Sequence, residues 1–408
     1  MKRVLFLIIV VLSPIITEAQ DNKTNFKFNG FFDTYHAMRS KDPHDFLSSR
    51  SRVRGELKKT HNKSSVFVSA NINHNAILED LSGFELREAF LDYTAENWSL
   101  RAGRQIIIWG AADGVRITDL ISPMDLTEFL ARDYDDIRMP VDAIKFRTFN
   151  QFMKLELVFV PLFTGFVLPV DPANPWALSL EDSAVKTKYA EGVVPSKTID
   201  NSEFGGRLTF NLPGVDFSVA GLYTWDKMPV MNARMVNDTL CISPEHYRMT
   251  FLGGDVSVPL GNLVFRSELA YNFNKHFALQ SLNGQLVKKN TCNYLVGVDW
   301  YPAGEWSVMM QYSSELIFDY IDAINNEEQT SLLTLNVAKK LMNSTLKLSD
   351  FTYYDLNYDG FYSRMAVDYS LSDQIHMLIG YDWFYGDKGK FGMYKDNSEI
   401  WVKAKYCF

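Results

Sequence analysis

The chain has 408 residues, 47% of them hydrophobic and 14% aromatic, with a formal charge of −8 at neutral pH. That negative balance argues against nucleic acid as a partner. Three cysteines without a CxxC spacing and seven scattered histidines give no support for a metal or other cofactor.

Taken in order, the chain opens with Lys2 and Arg3, an apolar run over residues 4–16, and Thr17-Glu18-Ala19 before Gln20. This is the pattern of a secretory signal cleaved after residue 19, and the run is too short for a spanning helix. From Gln20 onward, segments of about ten residues with period-two hydrophobicity alternate with turn signals. The segment after the first long connection places Arg50, Arg52, Arg54, Glu56 and Lys58 on one face, against Ser51, Val53, Gly55 and Leu57. Arg87, Arg101, Lys145 and Arg147 follow on the corresponding face of later segments. An arginine near a bilayer midplane costs about 2–4 kcal/mol, so these seven basic residues (Arg50, Arg52, Arg54, Arg87, Arg101, Lys145 and Arg147) are expected to line a lumen.

Residues 106–141 break the alternation. Trp109-Gly110 and Asp113-Gly114 interrupt it, and Ser122-Pro123-x-Asp125 has the capping pattern of a helix start. A short helix from Pro123 is therefore expected, with Leu126, Phe129 and Leu130 on its apolar side. The stretch carries seven acids (Asp113, Asp119, Asp125, Glu128, Asp133, Asp135 and Asp136) and three arginines (Arg116, Arg132 and Arg138). Acids on this stretch and bases on the wall predict opposed charge sets across a constriction. The alternative is that they pair and plug the pore, since inward charges must be satisfied either way.

The remaining segments, 204–212, 215–225, 263–274, 361–371, 375–385 and 400–408, alternate cleanly, and the connections between segments run short then long throughout. A soluble β-sandwich would alternate too, but with its polar face outward. The size, and a last segment ending on Phe408, favour the membrane solution. The fold class is all-β, a transmembrane antiparallel β-barrel of roughly 16–18 strands over residues 20–408. Its third loop, 106–141, is expected to carry the short helix and to fold into the lumen as a constriction.

With these features in hand, the chain resembles the large porin-like outer-membrane barrels of Gram-negative bacteria. Trp109-Gly110 followed by Ser122-Pro123-Met124-Asp125 is similar to a pattern in poorly characterised barrels, some of them associated with export systems. The resemblance implies an outer-membrane location and a channel for passive transport of small hydrophilic solutes. The second reading is a component of an export or lipid-trafficking system, served by apolar residues of the 161–202 connection (Phe163, Phe166, Val167, Leu168, Trp176 and Leu178). Expected partners are membrane lipid and a small solute, with a homo-oligomer or a periplasmic export protein as further contacts. No nucleophile–base set is recognisable, so the chain is read as not an enzyme. Cys241 and Cys292, placed in or beside neighbouring external loops, are expected to form a disulfide, and Cys407 to stay unpaired.

Overall fold

The computed structural model describes residues 24–177, 186–190 and 192–408. The signal-peptide expectation and Leu178 lie outside the described residues. The first part of the chain forms β1 (Thr24–Arg39), β2 (Phe46–His61), β3 (Ser64–Asn75), β4 (Gly83–Thr94), β5 (Trp98–Gln105), β6 (Val141–Phe149), β7 (Met153–Val160) and β8 (Lys186–Tyr189). Then come β9 (Glu203–Leu212), β10 (Val215–Trp225), β11 (Val230–Val236), β12 (Thr239–Glu245), β13 (Arg248–Leu260), β14 (Leu263–Ala278) and β15 (Leu286–Trp300). The last are β16 (Trp306–Ile317), β17 (Gln329–Leu341), β18 (Leu346–Asp355), β19 (Gly360–Ser370), β20 (Ile375–Tyr385) and β21 (Glu399–Cys407).

Among the described residues, 18 of these strands make one antiparallel sheet, and β8, β11 and β12 make a separate sheet of three. The large sheet closes on itself. β1 pairs with β2 along one side and with β21 along the other, from Phe31 opposite Cys407 to Arg39 opposite Glu399. One further rung, a reciprocal pair of hydrogen bonds between Gly30 and Phe408, completes the seam. Closure removes both sheet edges, as a barrel within a membrane requires.

Side-chain polarity settles which solvent surrounds the barrel. On β14, Leu269 points outward and is 54% exposed, while its neighbour Glu268 points inward and is 2% exposed. On β2, Val53 is 40% exposed and Arg52 is 8% exposed. The same inversion recurs at Leu252, Val296, Met310 and Ile379, all exposed, against Gln311 and Asp382, both buried. Water on the outside would make this arrangement unfavourable, and hydrocarbon makes it favourable. The protein is an outer-membrane β-barrel, with apolar side chains to lipid and charge to the lumen.

Three details differ from the sequence reading. Alternation falters near Leu86 because the β3–β4 register slips there. Ser69 pairs with Glu88 and Ala70 with Leu86, so Arg87 is the extra residue of a bulge and still points inward. The connection after β10 is no plain loop: β11 and β12 form a hairpin, and β8 adds to it in parallel. The Cys241–Cys292 disulfide is absent, and all three cysteines are free. Cys241 sits in β12 of the outer sheet, whereas Cys292 lies within β15, opposite Tyr271 and Leu316 and on the outward face with Val296. A barrel strand holds that thiol against the lipid side, away from the loops.

Candidate functional site

The connection between β5 and β6 lies inside the barrel and touches its wall nearly all the way round. Its first half is held by apolar packing. Ile107, Trp109, Ile117 and Ile121 join a buried cluster with inward side chains of the wall, among them Val158, Leu222, Phe251 and Leu295. Trp109 donates its indole N–H to Glu156 at 2.7 Å and its backbone N–H to Asp119 at 3.1 Å. Glu268 of β14 then takes the backbone N–H groups of Ala111, Ala112 and Thr118 at 2.5, 2.6 and 3.1 Å, and the Thr118 hydroxyl at 2.8 Å. Gly110 makes this grip feasible. Its φ is +98°, and a Cβ there would lie 2.6 Å from the Thr118 hydroxyl.

The helix expected from Pro123 does not form. The only α-turn in the connection is Tyr134–Ile137. Ser122, read as a helix cap, accepts the Ile107 N–H instead, at 2.9 Å. The Asp125 N–H goes to the Ile137 carbonyl, the Leu126 N–H to Val167, and the Pro123 carbonyl takes the Met139 N–H. Residues 123–126 are thus extended between two neighbouring segments. A helix of one or two turns is marginal by itself, and these long-range partners outcompete it. Phe129 turns the chain back with φ +48° and packs its ring 4.5 Å from that of Tyr394.

The acids of the second half meet the wall directly. Glu128 pairs with Arg50 and accepts the Ser48 hydroxyl at 2.6 Å. Asp136 pairs with Arg52 at 2.9 Å and Arg54 at 3.0 Å, while Arg52 also holds Asp33 at 2.6 Å. On the other flank of β1, Asp133 pairs with Lys403 of β21 at 2.6 Å and approaches Arg364 of β19. Arg364 and Tyr35 both donate to the Ala131 carbonyl, and Tyr362 donates to Leu130. Within the connection, Asp125 pairs with Arg132 at 2.7 Å and Asp119 with Arg138 at 3.1 Å. Arg116 donates to the carbonyls of Asp119 and Ser122. Acids and bases therefore touch, and no open gap separates two charge sets.

These contacts set the ionisation of the loop acids. Burial disfavours the Asp136 carboxylate, but Arg52, then Arg54 and Arg87, outweigh it and hold the carboxyl well below the usual range. Burial likewise opposes Asp133, and Lys403 with Arg364 brings it down to about 2. Asp113, whose nearest cation Arg266 is 4.0 Å away, is raised by burial. For Asp133 and Asp136 the folded value lies below the ordinary Asp value of about 3.9. Their stabilisation is thus complete above that value and is lost as pH falls through the folded values. Single-channel conductance should stay level from pH 7 to about 4 and rise only near pH 2. A rise already between pH 7 and 5 would show that other groups hold the loop.

Residues 15–408 match the family model described as "Protein of unknown function (DUF1302)". The chain belongs to this family. No curated protein matches it. Among solved structures, OccAB3 of Acinetobacter baumannii is similar, with a TM-score of 0.55 at 11% identity, covering 94% of this chain and 99% of that one. OccK11 (OpdR) of Pseudomonas aeruginosa gives a TM-score of 0.55 at 9% identity, covering 94% and 96%. OccD3 (OpdP) of the same organism gives 0.54 at 9%, covering 94% and 91%. At such identities the likeness extends to the fold alone.

Not every residue singled out in this DUF1302 chain meets the loop. Arg87 does, donating to the Asp135 carbonyl at 2.6 Å. Arg101 instead pairs with Asp92 at 2.6 Å, Arg147 donates to Ser99 at 3.2 Å, and Lys145 lies opposite Arg101 near Glu156. The Asp135 side chain, 92% exposed, makes a loose pair with Arg138. Sequence reasoning missed Glu156, Glu268, Tyr353, Tyr362, Arg364, Asp382 and Lys403 as loop anchors or their neighbours. Their signal was a charged or aromatic residue on the inward face of a strand. Pairing them with particular loop residues needs the closed barrel.

Proposed function

We propose that this DUF1302 protein is a passive outer-membrane channel for small hydrophilic solutes, with residues 106–141 as its constriction. The observation that carries the reading is the position of that segment. It lies across a charged lumen, tied to β1, β2, β4 and β21 on one side and to β14, β16 and β18 on the other. A polar lumen narrowed by a fixed loop sieves solutes by size and polarity. Three of the six apolar residues named for an export or lipid route are engaged within the protein, while Val167 is exposed. Trp176 is buried against Phe384 and Tyr394, Phe166 lies under Arg116, and Phe163 meets Trp225 and His246 edge-on.

The test is current through single molecules in planar bilayers. The intact protein should show small, stable unitary steps. Replacing Arg52 and Arg54 together by Gln removes two positive charges beside Asp33 and Asp136 and leaves Lys403 and Arg87 as their remaining cations. The reversal potential in a salt gradient should then shift towards cations, on the order of threefold in permeability ratio. An unchanged reversal potential would place the ion path away from β2.

A further inference from the structure

We infer that the outward-opening well between the loop, β2 and β3 is a subsite for an uncharged, polyhydroxylated solute of monosaccharide size. This rests on the channel reading and names the solute class that the constriction favours. The well has a volume of about 240 Å³ and is lined by residues including Arg50, Asn73, Asn75, Glu85, Asp125 and Arg132. It lies on the long-loop side, since Asn75 ends β3 there and Leu81 of the following loop forms part of its lining.

The wall is built in rungs. Arg50 lies opposite Asn75, Arg52 opposite Asn73 and Arg54 opposite Asn71 in the β2–β3 register. The lining carries three guanidiniums and three carboxylates and so has no net charge. Its guanidiniums are also already engaged, Arg50 with Glu128, Arg132 with Asp125 at 2.7 Å, and Arg52 with Asp33 and Asp136, while Glu85 accepts the side-chain amides of Asn71 at 2.8 Å and Asn73 at 3.2 Å. An anion bidding for Arg50 must displace Glu128, whose side chain is only 3% exposed, and a cation bidding for Asp125 must displace Arg132. Either exchange strands a poorly solvated charge.

A hydroxyl faces no such conflict. A guanidinium has five N–H donors and a carboxylate several lone pairs, so the ion pairs leave both kinds of group spare. The Asn73 amide gives one N–H to Glu85 at 3.2 Å and keeps its carbonyl side available. A solute with hydroxyls on nearly every carbon, each able to donate and accept, satisfies such a wall without breaking a pair. No aromatic ring lines the well. Binding through hydrogen bonds alone is weak, as a solute in transit requires.

Three probes of one size and different charge test this: D-glucose, glucuronate and glucosamine, added on the long-loop side of the full-length protein in a planar bilayer carrying KCl current. Glucose should interrupt the current reversibly at a concentration about fivefold lower than either charged analogue. Asn73→Ala should raise the glucose concentration needed by about fivefold, and Asn73→Gln should recover part of the loss. A wild-type channel that conducts but is blocked equally or better by glucuronate or glucosamine overturns the inference and leaves the channel reading standing. So does one that ignores glucose. A protein that passes neither ions nor sugar overturns the channel reading itself, and the subsite with it.

Discussion

Replacing residues 112–138 with a short glycine–serine linker should raise unitary conductance severalfold and admit solutes that the intact protein excludes. An 18-stranded barrel encloses a lumen wider than its inward side chains can fill. The replaced segment supplies Asp133 and Asp136, which fasten it to Lys403, Arg52 and Arg54, and Ile117 and Ile121, which pack against the inner wall. None of the 18 ladders runs through it, so the barrel should still fold and keep the heat-modifiable gel mobility typical of such proteins. Unchanged conductance from a folded deletion variant would mean that the loop does not bound the ion path.

The second large effect is expected at Glu268. This one carboxylate accepts three backbone N–H groups and a hydroxyl from residues 111–118. Glu268→Ala leaves those donors without partners, at about 1–3 kcal/mol for each that stays buried. That sum is comparable with what docking a short loop segment contributes, so the segment should detach part of the time. Conductance traces should become noisy, with a mean between the wild type and the deletion. Glu268→Gln keeps one carbonyl acceptor and should fall between. Quiet traces of wild-type amplitude from Glu268→Ala would show that the apolar cluster around Trp109 holds the segment unaided.

The barrel was legible because its signal is local. Period-two alternation reports on one strand at a time, and turns of alternating length report on hairpins, so neither requires knowledge of distant residues. The inward bend of 106–141 was legible as a charge argument, since seven acids facing a basic strand have few other places to go. The helix at Pro123 was misread for a physical reason. Ser122 and Asp125 are good caps, but caps also serve turns, and the backbone of 123–126 finds better partners in Ile137, Met139 and Val167. The Cys292 pairing failed on a boundary, because β15 begins at Leu286 and draws that residue into the wall. The pairing of Asp133 with Lys403 was not legible at all. It joins two segments that meet only once the barrel has closed.

That closure has a temporal side. The seam joins β1 to β21, with Gly30 bonded to Phe408, so its rungs cannot form until β21 is in place. Every other barrel ladder links consecutive strands of the wall and can grow outward from a hairpin. Until the seam shuts, β1 and β21 each present an open row of backbone donors and acceptors, and Lys403 on β21 is separated from its place beside Asp33 on β1. Two of the loop's moorings therefore mature at different times. Asp136 can settle on β2 early, whereas the site for Asp133, between β19 and β21, is completed with the last strand. A chain with such distant final contacts folds slowly and stays exposed to aggregation while it waits. The inner loop and the barrel wall are finished in the same step.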